Sequence, residues 1–117
     1  MERNKNNPRN KLTGAARERF DVIVDTIKRN GIDSHAKGMF LIEATRLAFA
    51  DECPEKDKLT ESEAKQLVRN ARSVMFYCVP NSEHKRDTVN TKLIEIQDEI
   101  GSSTTTKAVA AFIGAAI

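Results

Sequence analysis

Tryptophan is absent from the 117-residue chain, which holds one tyrosine, two cysteines, two histidines, three prolines and five glycines. Each shortage excludes something. Two cysteines, Cys53 and Cys78, are too few for a disulfide framework and fit a reduced, cytoplasmic setting. Aromatics are scarce and the hydrophobic share is 39%, below the ~45–50% usual for globular domains. Such a chain fills a modest core and has little material for a deep pocket. Its apolar stretches are short and broken by charge, so no membrane span is expected. The opening MERNKNNPRN lacks the apolar run of a secretory signal.

Strong charge of one sign is also missing, since nineteen Lys and Arg oppose seventeen Asp and Glu. The distribution is uneven, however. Residues 1–38 carry nine basic and five acidic side chains, whereas the rest carries ten basic and twelve acidic. Asp51, Glu52, Glu55, Asp57, Glu61 and Glu63 cluster past the middle. A basic front before a helical body attracts phosphate by releasing condensed counterions, although solvated chain ends are often merely polar.

Apolar spacing predicts an all-α fold. Residues 1–12 read as a flexible basic arm and 13–117 as a single helical domain. Thr13 is placed to cap a first helix from Gly14 to Arg29, in which Phe20, Ile23, Val24 and Ile27 form one stripe. Gly31 supplies the left-handed residue that ends it. Asp33 or Ser34 caps a second helix reaching about Glu52, with Phe40, Leu41, Ala44, Leu47 and Ala48 inward and Gly38 a weak point. These two, within 13–52, form a helix-turn-helix-like pair. Thr60 and Glu63 make a T-x-x-E capping box for a third helix through Ala64, Leu67, Ala71, Val74 and Cys78. Val79-Pro80-Asn81 breaks it. A fourth helix from Ser82 to Ile100 carries Val89, Leu93, Ile96 and Ile100, completing a central antiparallel hairpin over 60–100. Ser102 or Ser103 caps a short C-terminal helix within 103–117, its face formed by Val109, Phe112 and Ile113.

Motifs for chemistry are missing. His35, Cys53, Cys78 and His84 show no C-x-x-C or H-x-x-x-H spacing, so no metal site is expected. Cys78 and His84 flank the proline turn, but a core thiol beside an exposed imidazole explains them better, because no third group orients the pair. The acidic run lacks the oxygen spacing and fixed glycine of a calcium loop. No glycine pair forms a phosphate loop. The expectation is a non-enzyme with no catalytic residues and no cofactor.

Binding features remain. In a helix-turn-helix the second helix presents its first residues to the major groove, here Ser34, His35 and Lys37, while Arg3, Lys5, Arg9, Lys11 and Arg17 would track phosphates of double-stranded DNA. The hairpin carries more apolar surface than its own seam needs: Leu67, Val68, Val74 and Met75 on one helix, Leu93 and Ile94 on the other. That excess packs either against the first two helices or against copies of the chain in a homo-oligomer.

The order of these features resembles the small terminase subunits of tailed phages, a group of short members in particular. The stretch PRNKLTGAARERF matches their polar, proline-bearing arm and leucine-led helix start. DVIVDTIKRNGI matches the apolar helix and turn, and FLIEATRLAFADE the alanine-rich second helix. VPNSEHKRD stands where their central hairpin holds a proline. KLIEIQDEIGSSTTTKAVAAFI follows their Leu-Gly-x-Ser turn through Ile100, Gly101, Ser103 and Lys107, with lysine where arginine is more usual. The resemblance implies a non-catalytic DNA-packaging factor in the host cytoplasm. It would form a ring through its central helices, bind packaging DNA through its N-terminal region and regulate a large ATPase/nuclease subunit. Two other classes fit less of the chain. A ribbon-helix-helix regulator of plasmid partition or conjugation would need a strand before the first helix, which Pro8 disfavours. A small phage inhibitor would work through protein contacts alone, with the acidic connector as its surface.

Overall fold

A computed structural model describes residues 8–29, 31–79, 83–101 and 104–117, the side chains of 83 and 84 excepted. Five α-helices occur among them: α1 (Gly14–Lys28), α2 (Ser34–Ala48), α3 (Glu61–Met75), α4 (Glu83–Glu99) and α5 (Thr106–Ala116). The all-α expectation holds, with one addition. Two-residue strands β1 (Lys58–Leu59) and β2 (Thr104–Thr105) pair antiparallel, Lys58 with Thr105 and Leu59 with Thr104. Strands this short leave no alternation to read in a sequence.

The stripe on α1 is the buried one: Phe20, Ile23, Val24 and Ile27 are all interior. Thr13 is its N-cap residue, but its side chain makes no capping hydrogen bond. Gly31, at φ 85°, turns the chain through the left-handed region that favours glycine. Asp33 then caps α2, its carboxylate accepting from the Ala36 N–H. Before α1, Pro8–Lys11 is a 3-10 turn with Pro8 buried, and Leu12 is buried behind it. The last part of the expected flexible arm is therefore docked. Arg3 and Lys5 lie outside the described residues.

Helix α2 is the centre of the molecule, contacted by α1, α3 and α5. It stops at Ala48, short of the expected Glu52, because Phe49 leaves helical geometry. The chain then turns, the N–H groups of Glu52 and Cys53 both donating to the Phe49 carbonyl, and this tucks Cys53 inside. Gly38 is no weak point. A Cβ there would run into the Ala110 carbonyl oxygen, and a Cβ at Gly114 would run into that of Ser34, so the two glycines let α2 and α5 meet backbone to backbone. That contact fixes the rotation of α5. It buries Val109, Ala110, Ile113, Gly114 and Ala116, and leaves Phe112, expected inside, 53% exposed. Its cap is Thr105, accepting from the Ala108 N–H; Ser102 and Ser103 lie outside the described residues.

The capping box that starts α3 is present in both directions. Thr60 Oγ1 accepts from the Glu63 N–H at 3.1 Å and Glu63 Oε1 accepts from the Thr60 N–H at 2.9 Å. α3 and α4 run antiparallel, which three polar links show. Lys65, early in α3, donates to the Gln97 carbonyl near the end of α4. Arg72 donates to Asn90, and Arg86 at the start of α4 donates to the carbonyl of Phe76 beyond α3. α3 ends at Met75 and closes with tighter turns over Phe76–Cys78; the proposed breaker residues Pro80 and Asn81, with Ser82, lie outside the described residues.

Candidate anion-binding cleft

Charge of one sign, thinly spread along the chain, converges in space at one end of the bundle. A cleft of about 660 Å³ opens there between the end of α1, the start of α2, the segment after α3 and the start of α4. Lys28 and Arg29 come from the first of these, Lys37 from the second, and Lys85 and Arg86 from the last. No Asp or Glu side chain is among its described lining residues. Two helix amino ends and three carboxyl ends meet here, Ile117 closing α5, so the helix dipoles supply no net positive potential and the attraction for anions comes from the side chains.

The floor is apolar. Ile27, Tyr77, Cys78 and Val79 line it, with Ile117 at one side and Phe76, 42% exposed, on the wall. Tyr77 is committed to the interior, its ring edge-on to Phe20 at a centroid distance of 5.5 Å. Burial pushes the Cys78 thiol up to about 12, partly countered by the Lys28 charge, so it remains neutral near pH 7. A neutral, buried thiol is a poor nucleophile. Cys53 is also pushed up by burial, against a hydrogen bond from Asn70.

Arg86 is incompletely satisfied. Its Nη2 donates to the Phe76 carbonyl at 3.3 Å, while its Nε is buried without a hydrogen-bond partner. Buried donors rarely go unpaired, so this nitrogen is a point of local cost.

Of the expected DNA-binding residues, the cleft gathers only Lys37. Ser34 and His35 are exposed at the start of α2, but Gly114 of α5 packs on the Ser34 backbone and the helix is enclosed on three sides. α2 thus presents a short end to solvent and no long reading face. Arg9 is held by Asp21 through two hydrogen bonds of 2.7 and 2.9 Å, and this guanidinium keeps the Asp21 carboxyl below its ordinary range. Lys11 Nζ lies 5.1 Å from the centre of the Phe49 ring. Arg17 is half-buried on α1, near enough to Asp21 to help hold its carboxyl down. These three form no common patch with the cleft. Lys28, Arg29, Lys85 and Arg86 are absent from the expected set. The signal for them was two Lys-Arg pairs, each beside a turn, which only the fold brings together.

The residues expected to face neighbouring copies are largely interior. Leu67, Val68, Val74, Met75 and Leu93 are at most 2% exposed within the single chain, and Ile94 is half-buried. Packing inside the chain accounts for the first five. The ribbon-helix-helix alternative meets a 3-10 turn, Pro8–Lys11, where a pairing strand would run. In the acidic connector, Glu52 accepts from Gln66 and Asn70, and Glu63 pairs with Lys56 at 2.8 Å. Among the described residues no group of three His, Cys, Asp or Glu could hold a metal ion, and no helix is long and apolar enough to cross a membrane. No protein family, curated protein or solved structure matches the chain.

Proposed function

We propose that the protein is a non-catalytic DNA-binding factor that holds backbone phosphates at the basic cleft. One observation carries this reading: five cationic side chains from three separate parts of the chain line one cleft with no acidic side chain among its described lining residues. Lys and Arg neutralise phosphates wherever they can approach them, and the gain comes from released counterions. Within this class, the order of motifs favours a small subunit of a viral DNA-packaging terminase, working beside a large ATPase/nuclease subunit. A homo-oligomer would multiply the modest charge of one cleft by avidity.

The test is binding of a fluorescent DNA duplex at several salt concentrations. Converting Lys28, Arg29, Lys37 and Lys85 together to Gln should weaken binding and reduce the slope of log K against log salt by up to about 3.6, at about 0.9 per phosphate contact. Arg86 is spared because it also satisfies the Phe76 carbonyl. Neutralising Arg3, Lys5, Arg9 and Lys11 should change the slope less, since Arg9 and Lys11 are engaged inside the chain. A slope that responds to the arm and ignores the cleft overturns the assignment.

A further inference from the structure

We infer that the cleft accepts an unpaired stretch of DNA, one base of which stacks on Phe76; this rests on the phosphate-binding reading above and narrows its ligand. The size of the cleft is the first reason. At about 660 Å³ it lies within the ~300–1,000 Å³ of cavities that enclose small ligands, room for a nucleotide unit. A B-form duplex, whose major groove alone is about 12 Å wide, can lie across the mouth but cannot enter.

Phe76 is the second reason. It is 42% exposed on the wall of a cleft otherwise rimmed by cations, while the neighbouring Tyr77 is anchored against Phe20. None of the described residues covers that side chain fully. Its backbone is held in place by the Arg86 guanidinium. A fixed aromatic face beside a positive groove is the combination that binds single strands without sequence preference, because every base has a π face. Arg86 is the third reason. A phosphate next to a base stacked on Phe76 would lie beside the guanidinium that holds the Phe76 carbonyl.

The absence of tryptophan makes the experiment direct. Phe76→Trp places the only indole of the 117-residue chain in the cleft. Titration with a dT10 oligonucleotide should quench its fluorescence saturably, whereas a ten-base-pair duplex or inorganic polyphosphate should bind with little quenching. In anisotropy assays Phe76→Ala should weaken dT10 binding about 5- to 150-fold, the loss expected for one stacked base. Duplex affinity should stay within about twofold on the same general ground, since phosphate contacts carry it. Phe76→Leu, apolar but without a π face, should not restore dT10 binding. Thermal melting of each variant confirms that it folds, and Phe76→Trp supplies the answer if the alanine variant does not.

The inference is overturned if dT10 binds the Trp variant without quenching, or if duplex and dT10 quench equally. Tighter binding of rU10 than of dT10 overturns the assignment to DNA. Duplex binding that still depends on the four cleft cations, with no response to Phe76→Ala and no quenching by dT10, removes the stacking inference alone. Loss of both kinds of binding removes the phosphate reading with it.

Discussion

At the scale of single residues, the most constrained positions carry no functional group at all. Gly38 and Gly114 let two helix backbones touch, and a methyl group at either meets a carbonyl oxygen. Neither backbone can rotate away as a flexible side chain could. Gly38→Ala should therefore destabilise the fold by about 1–3 kcal/mol, the usual cost of overpacking. Calorimetry should show a fall in Tm of about 4 °C for each kcal/mol at this chain length. Gly38→Ala and Gly114→Ala together should cost less than the sum, because one separation of α2 from α5 relieves both overlaps. An unchanged Tm in Gly38→Ala would mean that the helices are not in backbone contact.

The Arg9–Asp21 pair makes a different residue-scale prediction. Asp21 is held below its ordinary range chiefly by the hydrogen bonds from Arg9. Its folded-state pKa is depressed, so the unfolded chain binds more protons there and stability rises with pH across that window. The contribution is present above about pH 4, the unfolded carboxylate value, and is lost as pH falls through the lower folded value. The melting temperature of Asp21→Asn should consequently fall less steeply than that of the native chain below about pH 4. Both side chains are partly exposed, at 33% and 44%, so added salt should shrink the difference. Identical acid profiles would show that the pair contributes nothing to folding.

At the scale of elements, helices were legible where two kinds of signal agreed. α3 has a capping box and a three-and-four apolar rhythm, and its start was placed to the residue. Thr60→Ala removes one half of that box and should cost about 1 kcal/mol, with urea unfolding as the measure; Thr60→Ser should recover most of it. An element end set by tertiary packing was not legible. α2 stops at Ala48 because Phe49 turns the chain so that Cys53 becomes buried, and no breaker residue occurs before Pro54 to announce this. On α5, Val109 and Ile113 of the expected face are fully buried, but Phe112 was misassigned for the same reason. Hydrophobicity pointed to Phe112, but the small residues Ala110 and Gly114, one turn apart, decide the rotation by how closely they let α2 approach. The cleft was illegible because its cations lie up to 58 positions apart, at 28 and 86, and only the packing of α1 on α2, α2 on α3 and α3 on α4 brings them to one cleft.

At the scale of the whole molecule, the apolar excess of the α3–α4 hairpin decides how assembly must be tested. A chain with few aromatics was expected to complete its core either internally or with copies of itself. In the fold, Leu67 on α3 is 2% exposed and Leu93 on α4 fully buried, each in one continuous core with Phe20 of α1 and Leu41 of α2. A carboxylate at position 67 would have to be buried without a partner or pull the core open. Leu67→Asp should therefore abolish cooperative melting, and mass measurement should not find a smaller but well-folded species. A ring, if the terminase reading is right, must then use side chains that remain outside. Phe112 is the largest of these on α5, 53% exposed beside Ile96 and Ile100 of the α4 end. Phe112→Asp adds a charge where no core is opened, so the monomer fold should survive with its Tm within a few degrees. Light scattering of the native chain against the two variants separates the cases. A native oligomer that Leu67→Asp dissociates into folded monomers would contradict the interior packing of α3. An oligomer that persists in Phe112→Asp would place the contact between copies elsewhere on the surface.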